Sequence, residues 1–263
     1  METTINGARI HYERVGEGMP VIFLHAGVAD ARMWRSQVDG LARQFEIITP
    51  DMRGFGGSEL RPEEWSPVED LLGLVDELHL KPAHLVGCSV GGGLAIDFAL
   101  EHGERISKLV LVAPGVGGLP PDPSDATLWE EVERAEKSGD VDAMLRAEAR
   151  LWLDGPTRPE GYVRDPVRKF MVEMNGSNVG QDWEHAPTRK LEPPAADRLQ
   201  EITAPTLLIV GDHDLATVYK AADLVTEKVP HVRKVVIHDA AHLPNLEHPD
   251  EFSRVVLDFL LED

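Results

Sequence analysis

Short, unbroken apolar runs recur along this chain at strand length. Val21-Ile22-Phe23-Leu24, the run at 108–112 and Thr206-Leu207-Leu208-Ile209-Val210 are the clearest. Alternate side chains of a strand point to opposite faces, so a run with no polar interruption suits a strand buried on both sides. Glu46-Ile47-Ile48-Thr49, His84-Leu85-Val86 and residues 232–237 read as further strands. Near the start, Ile5-Asn6-Gly7-Ala8 reads as a hairpin turn ahead of an alternating strand at 9–15, because Asn-Gly supplies the positive φ angles of a two-residue loop. Helical patterns lie between the runs. Ser66 is placed as an N-cap, with Pro67 in the first turn and Glu69 in the capping-box position, opening a helix to about His79. Residues 94–100 and the amphipathic stretch 252–261 read as helices. Buried strands alternating with helices predict a parallel α/β sheet.

One stretch departs from this alternation. Between Val116 and Pro194 no run has strand character, while Leu128, Trp129, Val132 and Ala135 fall at helical spacing, as do Met144, Ala147 and Leu151. Roughly 80 residues far exceed an ordinary crossover. Residues 116–196 are therefore expected to form a helical cap inserted into a main α/β domain of residues 1–115 and 197–263. Three of the five tryptophans, Trp129, Trp152 and Trp183, lie in it. They are candidates either for lining a substrate pocket or for the cap's own core.

Composition narrows the function. The chain of 263 residues carries a formal charge of −20 and a single cysteine. A surface this acidic repels phosphate backbones and anionic lipids, so neither nucleic acid nor a membrane is an expected partner. One cysteine cannot form an internal disulfide framework. No apolar run approaches the roughly 20 residues of a membrane helix, and no signal peptide is visible, so the expected location is the cytoplasm.

Gly87-Cys88-Ser89-Val90-Gly91 follows the strand at 84–86 and precedes a helix. Here a G-x-S-x-G pattern sits in the strand–turn–helix context that exposes a serine hydroxyl on a strained turn. The Val90 N–H then faces the space where an oxyanion would develop. A nucleotide-binding turn fits poorly, since neither the P-loop Lys-Ser/Thr nor the G-x-G-x-x-G spacing is present. Cys88 reads as a small packing residue, not as the nucleophile.

With these residues the chain resembles the serine hydrolases of the α/β-hydrolase fold, most of all the small capped enzymes typified by 3-oxoadipate enol-lactonases, cofactor-free haloperoxidase-type esterases and C–C bond hydrolases. The resemblance implies a mostly parallel eight-stranded sheet flanked by helices. His25-Ala26-Gly27, followed by Trp34, matches the family's His-Gly-x…Trp segment, with Ala26 where glycine is usual. It implies that Gly27 offers a second oxyanion N–H, and the adjacent Val28 is a candidate substrate contact. Asp51-Met52-Arg53-Gly54-Phe55-Gly56-Gly57-Ser58 matches a turn that buttresses the elbow.

A hydroxyl nucleophile needs a base, and the base an orienting acid, in the chain order Ser, Asp/Glu, His. Asp212 and Asp214 follow the strand at 206–210, and His242 lies in Ala241-His242-Leu243-Pro244 after the last strand. Alternation cannot choose between two carboxylates two residues apart; the family's G-x-x-D pattern picks Asp214. Asp212 is expected to bond amides of its own turn. The other ten histidines read as solvated or merely hydrogen-bonded. A metal site is not expected, because His238 and His242 lack the Glu of H-E-x-x-H and straddle a strand end. The expected activity is hydrolysis of small carboxylic esters or lactones through Ser89, His242 and Asp214, without a cofactor, by a monomer or homodimer. C–C bond hydrolysis on the same residues, or a non-enzymatic small-molecule receptor, are the alternatives.

Overall fold

The computed structural model describes residues 1–181 and 183–262. Eight strands form one sheet: β1 (Glu2–Ile5), β2 (Ala8–Val15), β3 (Met19–Leu24), β4 (Phe45–Pro50), β5 (Ala83–Cys88), β6 (Ile106–Val112), β7 (Thr206–Gly211) and β8 (Val232–Ile237). Their order is β1-β2-β4-β3-β5-β6-β7-β8. From β4 to β8 all neighbours are parallel. β1 and β2 pair antiparallel, with Ile5 opposite Ala8, and β2 runs antiparallel to β4. The hairpin turn falls on Asn6 (φ 45°) and Gly7 (φ 80°), as the Asn-Gly pair predicts.

The apolar runs act as their two-sided burial requires. Ile22 and Leu24, Leu109 and Leu111, and Leu208 and Val210 enter one core. Val21 and Phe23, Val110 and Val112, and Leu207 and Ile209 enter the other, on the opposite face of the sheet.

The helices are α1 (Arg35–Leu41), α2 (Pro67–Glu77), α3 (Val90–Glu101), α4 (Ala126–Ser138), α5 (Val141–Ala149), α6 (Val167–Ser177), α7 (Ala195–Arg198), α8 (Ala216–Lys228), α9 (Pro244–Glu247) and α10 (Pro249–Leu261). The Ser66 hydroxyl caps α2 by accepting from Glu69 N–H at 3.3 Å. Neither α1 nor α8 stands out in a search for strand-length runs. α1 has only seven residues and contains Gly40. α8 does carry Val218, Ala221, Ala222 and Val225 at helical spacing.

Between β6 and β7 the chain forms α4, α5, α6, α7 and short helical turns, with no strand among the described residues. α5 runs into a π-helical turn, Arg150–Asp154. One isolated bridge joins Thr188 of this stretch to Trp65. No helix among the described residues is long and apolar enough to cross a membrane.

Candidate active site

Ser89 sits between β5 and α3 with φ 54° and ψ −114°. A non-glycine residue held there costs on the order of 1–3 kcal/mol and persists only where its surroundings fix it. Three glycines supply the clearance. A Cβ on Gly87 would lie 2.2 Å from the Gly91 carbonyl oxygen, one on Gly91 2.5 Å from that of Leu24, and one on Gly92 2.9 Å from Pro114 Cβ. The backbone is pinned as well: Ser89 N–H donates to Val112 O at 2.9 Å, and Ser89 O accepts from Gly93 and Gly115 N–H at 2.9 and 3.1 Å.

Val90 opens α3, so its N–H has no intrahelical acceptor. Gly27 lies against it, since a Cβ at Gly27 would fall 3.2 Å from Val90 Cγ2. The loop bearing Gly27 is held by His25, whose Nδ1 bonds Ala26 O at 2.8 Å while Nε2 accepts from Met52 N–H at 2.9 Å. This pattern fixes the neutral ring, and burial lowers the His25 pKa further. Asp51 accepts from Ala31 N–H and Gly57 N–H, each at 2.8 Å, and pairs with His11 at 3.0 Å. Arg53 binds Asp70 through Nε and Nη2 at 2.6 and 2.8 Å. The 51–58 turn thus braces the loop after β3 and the strand β2.

Asp214 and His242 come together. His242 Nδ1 lies 3.0 and 3.1 Å from the two Asp214 carboxylate oxygens, and both residues are buried. The carboxylate also accepts from Leu215 N–H at 2.8 Å, and Asp214 N–H donates to the Tyr219 hydroxyl at 3.0 Å. Asp212 lies apart, bonded to His238 Nδ1 at 2.9 Å and to Ala240 N–H at 3.4 Å. Its hydrogen bonds therefore go to the loop after β8 and not to the amides of its own turn that the sequence reading expected; within that turn it faces the His213 ring at 3.7 Å. The reason is proximity: a Cβ on Gly211 would meet Ala240 O at 2.2 Å, so the ends of β7 and β8 nearly touch.

Protonated at Nδ1 toward Asp214, His242 presents Nε2 as a base. That atom is buried and has no hydrogen-bond partner, Ser89 included. Cys88 Sγ lies 3.9 Å from His242 O, which brings the His242 loop against the elbow. Cys88 itself is fully buried, and burial pushes its thiol pKa up, away from nucleophilic thiolate chemistry.

The tryptophans are distributed around these groups. The Trp152 ring packs on the His242 imidazole with centroids 4.3 Å apart, and Trp129 meets Trp152 edge-on at 5.4 Å. Trp183 is 38% exposed and packs on Phe55 at 5.2 Å, which in turn meets His25 at 5.0 Å. The Val28 side chain is buried in the core on the α1–α10 face, beside Ala26, Ala29 and Met33. A cavity of about 900 Å³ opens beside Val90 and is bordered by Leu94, Val116 and Leu191. Its size is typical of a small-molecule pocket. Among the described residues no group of three or more His, Cys, Asp or Glu is placed to hold a metal ion.

Sequence reasoning passed over two residues that structure places behind His242. Glu247 accepts from Ala241 N–H at 2.8 Å and pairs with Arg158 at 2.8 Å. Arg158 is one of seven arginines between residues 116 and 196, and nothing local marks it.

A family model described as alpha/beta hydrolase fold matches residues 19–249. A 2-hydroxy-6-oxo-6-phenylhexa-2,4-dienoate hydrolase of Comamonas testosteroni is 29% identical, over 98% of this chain and 93% of that protein. The enol-lactonase of Burkholderia xenovorans LB400 superposes with a TM-score of 0.79 at 26% identity, over the whole of both chains. A thermophilic esterase of Thermogutta terrifontis does so with 0.77 at 26% identity, over 99% of this chain and 98% of that one.

Proposed function

The chain belongs to the α/β-hydrolase fold family, and from that premise we propose that it hydrolyses small carboxylic esters or lactones through Ser89, His242 and Asp214. The observation that carries this reading is the buried Asp214–His242 pair, which leaves His242 Nε2 unpartnered in a loop packed against the elbow that holds Ser89 at positive φ.

Ser89 Oγ attacks the substrate carbonyl while Nε2 takes its proton. Asp214 holds the Nδ1–H tautomer and stabilises the imidazolium as it forms. The N–H groups of Val90 and Gly27 receive the oxyanion. The imidazolium then protonates the leaving alkoxide, and an acyl group remains on Ser89. Water, deprotonated by the same ring, releases the acid. All of these steps use side chains and amides of this chain. In this reading residues 116–196 act as a cap over the site, and Trp129, Trp152 and Trp183 set the substrate profile from its rim.

C–C bond hydrolysis is the second reading, and the Comamonas testosteroni relative favours it. The compound in that protein's name has a ketone and a carboxylate but no ester, so its hydrolysis breaks a carbon–carbon bond. A panel of p-nitrophenyl esters, lactones and a β-diketone, each run with a fluorophosphonate probe, tests both. Burst release of p-nitrophenol with the label on Ser89 is expected. A folded protein with neither turnover nor label on Ser89 would refute the serine mechanism, and turnover of the diketone alone would move the assignment to C–C cleavage.

A further inference from the structure

Few contacts fix the His242 ring, and several of them come from outside the sheet. The His242 backbone N–H donates to Trp152 O at 3.2 Å, and the Trp152 ring packs on one face of the imidazole. Two buried charged side chains bracket this junction. The Arg158 guanidinium donates from Nε to Asp154 O at 2.8 Å, from Nη1 to Asp239 O at 2.9 Å, and from Nη2 to Leu153 O and to a Glu247 carboxylate oxygen. The other Glu247 oxygen accepts from Ala241 N–H. One ion pair therefore binds both residues that follow Trp152 and two of the three that precede His242. Both side chains are 4% exposed.

Asp154 makes the insert side of this junction rigid. Its carboxylate accepts from Gly161 and Val163 N–H at 2.8 and 3.0 Å and pairs with Arg168. The clearance is equally tight, because a Cβ on Gly155 would collide with His213 O. A buried ion pair is a weak source of stability, since desolvation offsets its attraction. It is a strong source of orientation when each hydrogen-bonding position is filled, and Arg158 reaches three carbonyls and a carboxylate through its fixed fork.

We propose that Arg158 and Glu247 are a positioning pair that holds the His242 imidazole in register with Ser89. The 150–158 stretch is then part of the mounting of the general base as well as a cover over it. The inference rests on the reading of Ser89 and His242 as nucleophile and base. A displacement of about 1 Å at a catalytic group can cost on the order of a hundredfold in rate, so a loosened His242 loop is expected to show in kcat before KM.

The test compares wild type with Glu247→Gln, Arg158→Lys and the double variant Arg158→Met/Glu247→Gln. The double variant removes both charges together and leaves an amide oxygen for Ala241 N–H, so no lone charge is stranded. kcat and KM for p-nitrophenyl butyrate are measured across pH, well below each Tm. The low-field proton resonance of His242 Nδ1–H is recorded alongside. Expected for the double variant is a kcat lower by at least about tenfold with KM within about threefold, and a resonance shifted or broadened by exchange. Arg158→Lys keeps the charge but cannot span three carbonyls, so it should fall between wild type and the double variant. A folded double variant with wild-type kcat, pH profile and resonance would overturn the proposal. So would single variants that lose only Tm, and these decide the matter if the double variant does not fold. If wild type lacks Ser89-dependent turnover, the hydrolase reading fails, and the proton resonance still reports whether the pair holds His242.

Discussion

At the elbow, the residues that shape the turn are Ser89's own neighbours in the chain, Gly87, Gly91, Gly92 and the first turn of α3, even where the atoms they clear, Leu24 O and Pro114 Cβ, are distant. Around His242 they come from far away. Asp214 is 28 residues distant, and the Arg158–Glu247 pair joins positions 89 apart. The elbow is set by sterics, which forbid a Cβ where backbones cross. The His242 region is set by directional polar bonds, which need their partners delivered by the rest of the fold. Removing the hydroxyl at the elbow should therefore abolish chemistry and spare the fold, whereas changes around His242 should grade activity.

The largest expected effect is that of Ser89→Ala. Loss of such a nucleophile costs on the order of a millionfold in kcat in a comparable triad. The variant should keep the wild-type circular dichroism spectrum and lose the fluorophosphonate label. Residual turnover near that of wild type in the pure variant would place the nucleophile elsewhere.

Next comes the choice between two carboxylates. Asp214→Asn should lower kcat by at least about a hundredfold at pH 7–8, because an amide can neither hold the Nδ1–H tautomer nor stabilise the imidazolium. Asp212→Asn weakens the links to His238, Ala240 and His213 and leaves Asp214–His242 intact. It should lower Tm with kcat near wild type. The reverse ranking in two folded proteins would mean that the acid acting on His242 is Asp212.

Smaller changes are expected at the aromatic cover. Trp152→Leu removes the ring stacked on His242 and should change both kcat and the ratio of kcat/KM between acetyl and longer acyl esters. Trp129 packs edge-on against Trp152, one ring further from His242, so Trp129→Leu should shift the same ratio less. Unchanged ratios in both variants, with lowered Tm, would reduce these tryptophans to packing.

The smallest effect lies on α3, behind the elbow. Desolvation, helped by nearby Glu101, pushes the Asp97 carboxyl from 3.8 up to about 6. The folded state holds this proton to higher pH than the unfolded one, so Asp97 erodes stability as pH rises from about 3.8 to about 6. Asp97→Asn escapes that loss. Its Tm should exceed that of wild type by a few degrees at pH 8, with the gain disappearing by pH 4. A Tm difference independent of pH would show that Asp97 does not titrate in this range.

The sequence by itself determined the sheet and the elbow. Apolar runs of strand length must be buried on both faces, and Ile22 and Leu24 do point into one core while Val21 and Phe23 point into the other. Gly87 and Gly91 flank Ser89 because only glycine fits where their Cβ atoms would strike carbonyl oxygens. The alternation and the Gly-x-Ser-x-Gly spacing are patterns within short segments, with periods of two or a few residues, and they survive in a linear reading even where the clash they avoid, as at Gly91 with Leu24 O, is with a distant strand. Alternation alone could not say which aspartate meets His242, since Asp212 and Asp214 share a strand end; the family pattern pointed to Asp214, and the tertiary structure shows the turn after Gly211 delivering it to the imidazole. It alone placed Trp152 on the imidazole, left Trp183 on the 54–55 turn, buried Val28, and brought Arg158 to Glu247. A hydrogen bond depends on the positions and directions of two groups at once, and separations of 28 to 89 residues leave no local periodicity from which that meeting could be read.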